Sequence, residues 1–239
     1  GWDFATPRGT QAVVPQPDGA VIVVAARGDS TIVWRIRPPD TRLLDSAFLP
    51  RSSRAVGTQL GDRVYFIGER SLYALRTRDL EPAPALPLDG AVADLVTTPS
   101  GDRVYVALEG KGDVRVIDRY REEVVGTIAL PGVVRALRMD ALGRYLLVRP
   151  ARGDSAWIVA LGTGRVLGSV RSAWRDDLPF ILPDGAIAMA RGDDVVLADA
   201  ETLAERRTIA GGAKDFWHFV LWNGFRKRTA PDEPVVFAT

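Results

Sequence analysis

Short apolar runs separated by polar turn residues divide the chain into strand-sized segments. In the middle of the chain, the runs Val92–Thr97, Arg103–Leu108, 114–118 and 123–128 are rich in Val, Ile and Leu. Pro, Ser, Gly and Asp fill much of the space between them, and these residues favour tight turns. The pattern is typical of consecutive antiparallel strands joined by short hairpins. We therefore predict that this part of the chain folds as a four-stranded sheet.

The same order of strands recurs along most of the chain. One glycine marks the turn before the second strand of each unit, and successive glycines are 40 or 42 residues apart. A strand repeat of this length is typical of β-propeller blades. The five glycines are Gly19, Gly61, Gly101, Gly143 and Gly185. Second strands are predicted at 20–26, 64–68, 104–108, 145–149 and 186–190, and third strands at 31–36, 72–75, 114–118, 156–161 and 195–199.

Polarity differs between the strands of one unit as a propeller requires. The second strands are almost continuously apolar, which is typical of a strand buried on both faces. The fourth strands are more polar, as in the segment 205–208, which suits a solvent-facing edge that must not pair with another chain. We predict an all-β propeller of four-stranded antiparallel blades, with residues 1–239 as a single domain. The approximate blade bounds are 10–50, 51–90, 91–132, 133–173 and 174–212.

The last part of the chain starts the repeat again and then departs from it. The segment 219–224 aligns with 180–185, but a basic stretch, 225–228, follows where the next strand should begin. Two arrangements remain open. In the first, which we prefer, residues 213–239 form a degenerate sixth blade that is completed by an N-terminal strand around residues 2–6. In the second, five blades are followed by a C-terminal tail.

Three segments of the third unit carry a resemblance to a known repeat. They read GDRVYVA at residues 101–107, VRVID at 114–118 and VVGTI at 124–128. They resemble the YVTN-type repeat of bacterial and archaeal WD40-like propellers, in which the first segment is the second strand and the next is the third. The match is good here, fair in units one, four and five, and weak in unit two. The resemblance implies a propeller fold and often extracytoplasmic binding or scaffolding. Some relatives are lactonases or quinone- or copper-dependent oxidoreductases, so enzyme status has to be argued from sites.

The C-terminal segment FWHFVLWNGFR, at residues 216–226, carries a second resemblance. It is similar to a segment of bacterial envelope proteins in which a propeller precedes a SPOR peptidoglycan-binding domain. The similarity covers eleven residues, and the chain itself contains no SPOR domain. The chain begins at Gly1 without a methionine, so we expect it to be a piece of a longer protein.

Composition narrows the classes of partner. The chain has 239 residues with 31 basic and 30 acidic side chains, so no overall field attracts nucleic acid or an anionic membrane. Of the basic residues, 28 are arginine, which we attribute to coding bias. Cysteine is absent, which excludes disulfides and thiolate metal sites. No apolar run approaches the roughly 20 residues of a membrane span.

Three Arg-Gly-Asp triplets fall at one repeat position, the hairpin between the second and third strands. Gly-Asp is ordinary turn chemistry there, so we do not interpret the triplets as adhesion motifs. Propeller topology brings these hairpins and the connections between blades to one face. Mixed charge with tryptophan is typical of a surface that binds proteins or glycans, and a solvated loop face is the alternative. The predicted binding face comprises Arg27, Asp29, Arg70, Lys111, Asp113, Arg152, Asp154, Trp174, Arg175, Arg191, Asp193 and Trp217.

No combination of residues predicts catalysis. His218 is the only histidine, and without cysteine it cannot complete the usual zinc or copper sites. The adjacent carboxylates Asp176-Asp177 and Asp193-Asp194 are interpreted as solvated turn residues. The glycine-rich segment 162–168 is interpreted as a hairpin turn, because it joins two antiparallel strands and not a strand to a helix. We therefore predict no catalytic residue, no cofactor and no metal site.

These features predict a non-catalytic binding or scaffold module that takes a protein or a cell-wall component on its loop face. We expect it in the bacterial periplasm or cell envelope, with the cytoplasm as the alternative. Two other functions stay open. One is a lactonase-like or other carboxylate-dependent hydrolase at the central channel, and the other is a structural spacer within a larger multidomain protein.

Overall fold

The chain is built from repeated antiparallel sheets. The computed structural model describes residues 7–38, 40–221 and 234–238, with side chains as far as Trp217. These residues form five four-stranded sheets and one two-stranded sheet, and their one helical element is the 3-10 turn Gly212–Lys214. In each four-stranded sheet, strands that are consecutive in sequence are neighbours in space. This is the meander of a propeller blade, so the predicted all-β propeller class is confirmed.

The chain divides into two compact units, of which Gly1–Ala129 is the first. This unit contains three four-stranded sheets, formed by strands β1–β4, β5–β8 and β9–β12. In chain order the strands are β1 (Thr10–Pro15), β2 (Val21–Arg27), β3 (Ser30–Arg37), β4 (Arg42–Pro50), β5 (Arg54–Gly57), β6 (Arg63–Ile67), β7 (Ser71–Arg76), β8 (Leu86–Pro87), β9 (Val92–Thr97), β10 (Arg103–Leu108), β11 (Asp113–Asp118) and β12 (Glu123–Ala129).

The second unit, Leu130–Thr239, contains two four-stranded sheets, β13–β16 and β17–β20, and the two-stranded sheet β21–β22. In chain order its strands are β13 (Val134–Met139), β14 (Tyr145–Pro150), β15 (Ser155–Ala160), β16 (Arg165–Arg171), β17 (Phe180–Ile181), β18 (Ala186–Arg191), β19 (Asp194–Asp199), β20 (Glu205–Ile209), β21 (Trp217–Leu221) and β22 (Pro234–Ala238).

The predicted second and third strands are confirmed in all five sheets, with each bound within one residue of the prediction. The segment 162–168 is the turn between β15 and β16, as predicted. In the C-terminal part, β21 pairs antiparallel with β22. The N-terminal residues 2–6, which the six-bladed arrangement requires, lie outside the described residues. The number of blades and the single-domain organisation therefore stay predictions.

The repeated glycines occupy a backbone conformation that other residues rarely adopt. All five lie in the turn before the second strand, with φ between +68° and +83°. Each donates its backbone N–H to the carbonyl three residues earlier, at 2.9–3.0 Å. Glycine enters this left-handed region without a steric penalty because it has no Cβ. The glycine repeat is thus a device for folding the blades.

The apolar core lies in layers between neighbouring sheets of each unit. In the first unit, Ile22 and Phe66 are fully buried in one layer and Leu95 in the next. In the second unit, Leu147 and Ile187 share a layer in the same way. The middle strands are therefore covered on both faces, which explains why they read as nearly continuous apolar runs. Within the described part of the chain no helix is long and apolar enough to cross a membrane.

Arginine side chains link neighbouring sheets within each unit. In the first unit, Arg63 Nη1 donates to Glu122 Oε1 at 2.7 Å. In the second unit, Arg144 donates to the backbone carbonyls of Pro183 and Leu182, at 3.0 and 2.9 Å. A guanidinium group presents several N–H donors in a fixed plane and can bind two acceptors at once, whereas a lysine ammonium is a compact point charge. These contacts give a structural reason for arginine at such positions, in addition to the coding bias inferred from composition.

Candidate binding face

The hairpins between second and third strands lie beside the connections that leave the fourth strands. In four of the sheets, a residue after the fourth strand donates its N–H to a carbonyl of the hairpin, at 2.9–3.1 Å. We call this end of the sheets the loop face of each unit. The repeated glycines lie in turns at the opposite end of the strands. The donor and acceptor residues are Arg51 and Asp29, Leu88 and Arg70, Ser172 and Asp154, and Ala213 and Asp193.

In the first unit, three of the predicted residues present free charge on the loop face. Arg27, Asp29 and Arg70 are exposed, and within the described residues none of them forms an ion pair. Lys111 and Asp113 are instead tied into a local cluster. The Lys111 ammonium lies 3.6 Å from Asp89, and Asp113 lies 3.2 Å from the guanidinium of Arg115, which also contacts Asp89.

In the second unit, four predicted residues are exposed on the hairpins of the loop face. Arg152 and Asp154 form no ion pair within the part of the unit that the structure describes. Arg191 pairs with Glu205 at 2.6 Å, and Asp193 lies 3.6 Å from the Lys214 ammonium. Ion pairs this exposed contribute little to stability and exchange readily with a ligand.

The two tryptophans of the predicted face are partly buried. Trp174 donates its indole N–H to the Ser155 carbonyl at 2.7 Å, and the guanidinium of Arg138 lies 5.1 Å from its ring centroid. Trp217 donates its indole N–H to the Gly212 carbonyl at 2.9 Å, and its ring lies 6.4 Å from that of Phe180. These contacts use the polar edge of each indole within the protein, so each ring offers only part of its surface to a ligand.

Arg175 is engaged in an internal network centred on Asp177. The Asp177 side chain is only 1% exposed, pairs with Arg175, and accepts a hydrogen bond from the Trp217 backbone N–H at 2.9 Å. Arg175 also donates to the backbone carbonyls of Ala213 and Asp215. The network fastens the segment that leads into β21 onto the sheet before it. Asp177 is thus a buried anchor, which differs from the solvated turn residue expected from sequence.

The surroundings of the Asp177 carboxyl lower its pKa. Burial raises the pKa of the carboxyl, because it disfavours the charged form. The hydrogen bonds from Arg175 and from the Trp217 N–H outweigh this effect and lower the pKa below its ordinary value of 3.8. The carboxylate is therefore ionised at neutral pH and holds Arg175 in place.

A cleft of about 630 Å³ opens on the loop face of the first unit. Its charged lining residues are Arg51, Glu69 and Glu109, and all three are exposed. The size falls within the range of sites for small ligands, roughly 300–1,000 Å³. The full lining consists of Gln11, Arg51, Ser52, Ser53, Ile67, Gly68, Glu69, Ala91, Val92 and Glu109.

The two glutamates of this cleft were not among the residues predicted from sequence. Glu69 and Glu109 belong to the β6–β7 and β10–β11 hairpins and are 40 residues apart, one repeat period. The repeat register places both at the same end of their sheets. The 40-residue spacing of the two glutamates is the sequence signal that predicts their shared position.

The chemistry of the described residues favours binding by charge and hydrogen bonds. Among them, no three histidine, aspartate or glutamate side chains are close enough together to hold a metal ion. The side chain of His218 lies outside the described part of the chain. The loop face of each unit presents charged groups on short, hydrogen-bonded hairpins, and that of the first unit also contains an open polar cleft.

Comparison with known proteins identifies the fold only. No protein-family profile matches the chain, and neither does any curated protein. Among solved structures, 1431 chains match, as expected for a fold that many proteins of different function share. One is Kuenenia stuttgartiensis hydrazine synthase, a β-propeller-containing protein, with a TM-score of 0.60 and 15% identity over 82% of this chain. The chain spans 65% of the length of that synthase chain.

Proposed function

We propose that this protein is a non-catalytic propeller module that binds a protein or a cell-envelope component through its loop face. The observation that carries the proposal is the exposed, unpaired charge of Arg27, Asp29 and Arg70 on loop-face hairpins of the first unit, and of Arg152 and Asp154 on a loop-face hairpin of the second. Elsewhere the chain pairs many of its charges internally. Unpaired charges of both signs on short, hydrogen-bonded hairpins are suited to a partner with complementary charge, because they attract that partner and fix its orientation.

The location of the protein in the cell is part of the same proposal. The third sequence repeat, at residues 91–132, resembles a YVTN-type repeat, and the C-terminal segment 216–226 resembles the region before a SPOR domain. Both resemblances support a place in the bacterial periplasm or cell envelope. A partner there would be an envelope protein or peptidoglycan itself.

Charge reversal on the loop face tests the proposal. In a quadruple variant, Arg152→Glu, Asp154→Arg, Arg191→Glu and Asp193→Arg, binding to purified peptidoglycan sacculi and to envelope-extract proteins should fall about tenfold or more, because like charges would then face each other. The far-ultraviolet circular dichroism spectrum should stay unchanged, since all four side chains are exposed.

A matched control uses the opposite end of the strands. Asp40→Arg and Arg165→Glu also reverse exposed charges, but Asp40 lies in the β3–β4 turn and Arg165 at the start of β16, both at the end of the strands opposite the loop face. These variants should bind as the wild type does. Equal binding by the quadruple variant and the wild type, or no binding by the wild type, would overturn the proposal.

A carboxylate-dependent hydrolase is the second candidate, because Glu69 and Glu109 line one cleft. A pair of carboxylates facing one substrate is the catalytic arrangement of most glycoside hydrolases. Turnover of a lactone or glycoside panel by the wild type, with loss of turnover in Glu69→Gln, would favour it. No turnover by the wild type would remove it.

A further inference from the structure

The cleft on the loop face of the first unit contains charge that the protein leaves unneutralised. Within the described residues, Glu69, Glu109 and Arg51 form no ion pair. Carboxylates at other places in the same unit are paired, among them Asp62 with Arg119 and Glu122 with Arg63. In a chain so rich in arginine, two free glutamates in one cleft are available to a ligand.

The loops around this cleft are held by backbone hydrogen bonds. The Glu109 N–H donates to the Ala91 carbonyl, and the Ser53 N–H donates to the Ile67 carbonyl, both at 2.8 Å. Gly68 closes the other hairpin with a 2.9 Å bond to Ser71. The two carboxylates are therefore carried by fixed hairpins of neighbouring sheets. Little loop entropy is lost when a ligand binds to groups held in this way.

The uncharged polar groups of the cleft are largely used within the protein. Gln11 Nε2 donates to the Ser52 carbonyl at 3.2 Å, and the Ser52 and Thr31 hydroxyls lie 2.8 Å apart. The Ser53 hydroxyl donates to the Ile67 carbonyl at 3.3 Å. Recognition is thus left mainly to two carboxylates and one guanidinium group. A complementary ligand carries a cation and, close to it, a hydrogen-bond acceptor.

We propose that this cleft binds the primary ammonium group of a peptide-like ligand, such as a lysine side chain. Glu69 and Glu109 would accept its hydrogen bonds, and Arg51 would contact a carbonyl or carboxylate of the same ligand. An ammonium group has three divergent donors, which suit two carboxylates on separate hairpins. A guanidinium group instead prefers one carboxylate in its own plane. This inference rests on the proposed function, because it names the ligand chemistry of part of the same loop face.

Calorimetric titration of the whole chain with Nα-acetyl-lysine methylamide tests the inference. We expect saturable binding that weakens as salt is raised from low to physiological strength, since the contacts are exposed. Glu69→Gln and Glu109→Gln should each weaken binding about fivefold, and the double variant should lose it. Glu123→Gln, an exposed glutamate at the opposite end of the third sheet, is the matched control and should bind as the wild type does.

Three further probes define the ligand class. The Nε-acetylated lysine derivative should not bind, because it lacks the charge, and n-pentylamine, which has a single ammonium group, should bind more weakly, because it offers Arg51 no acceptor. A third probe is Nα-acetyl-arginine methylamide, which should bind more weakly than the lysine probe. Equal binding of the acetylated probe, tighter binding of the arginine probe than of the lysine probe, or unchanged binding by the double variant would each overturn the inference. The charge-reversal variants of the second unit leave this cleft intact. Loss of envelope binding in those variants without any lysine binding by the wild type would therefore overturn this inference alone.

Discussion

Asp177→Ala is expected to lower the free energy of unfolding by about 2–4 kcal/mol, because it removes a buried carboxylate that holds both Arg175 and the Trp217 backbone. The guanidinium of Arg175 would lose its ion-pair partner beside the segment that leads into β21. The adjacent Asp176 is exposed and supplies the matched control. Asp176→Ala should change stability by less than about 0.5 kcal/mol, as is usual for exposed substitutions. Chemical denaturation of the three proteins measures the difference, and equal midpoints would contradict the anchoring role.

The same side chain makes stability depend on pH in a predictable direction. Its pKa in the folded protein lies below that in the unfolded chain, so the folded state holds its proton less tightly. The stabilisation is therefore present at neutral pH and is lost as the pH falls below about 4 and through the folded pKa. Asp177→Asn retains an acceptor for the Trp217 N–H but loses the charge. This variant should show a smaller drop in stability on acidification than the wild type shows.

Alanine substitutions in the glycine repeat should separate backbone strain from steric overlap. Gly19 has φ +81° with no atom within 4 Å of an added Cβ, so Gly19→Ala should cost about 1–2 kcal/mol through the backbone alone. Gly61 has φ +68°, and its added Cβ would lie 2.8 Å from Cδ of the rigid Pro17 ring. Gly61→Ala should therefore cost more, about 2–4 kcal/mol.

Gly162 provides the control for this series. It also has open space around an added Cβ, but its backbone is not in the left-handed region. Gly162→Ala should be neutral or slightly stabilising, because alanine restricts the unfolded chain. Thermal or urea unfolding of the three variants and the wild type measures the change in the free energy of unfolding for each substitution. Equal costs at Gly19 and Gly162 would show that the repeated glycines are not required by their conformation.

The blades could be predicted from sequence because their signals are local. Each hairpin carries its own turn residues, and each second strand its own apolar run, so no knowledge of distant contacts is needed. The second sheet shows where this reasoning weakens. Its fourth strand, β8, has only two residues, because Pro82, Pro84 and Pro87 cannot donate to a ladder. The second sheet corresponds to the sequence repeat in which the resemblance to the YVTN-type repeat is weakest.

The candidate site could be predicted only in outline, because its energetics depend on residues from different blades. Sequence reasoning placed the hairpins on one face. It could not foresee that Arg175 and Trp217 meet at Asp177, since the Trp217 backbone lies 40 residues further along the chain. Nor could it separate free charges from paired ones. Arg152 and Arg191 occupy equivalent hairpin positions, but only Arg191 has an acidic neighbour, Glu205, within reach.

Site-specific photo-crosslinking in bacterial cells that produce the protein tests the proposed loop-face function most directly. A photoreactive benzoylphenylalanine would replace, one at a time, Arg27, Arg70 or Arg152, each on the loop face of its own unit, and Asp40 or Arg165, each at the opposite end of the strands of its unit. All five side chains are exposed, so each variant should fold. The account predicts discrete adducts, of one protein or of peptidoglycan fragments, from loop-face positions only. Adducts from the opposite end alone, or no adduct from any position, would contradict it.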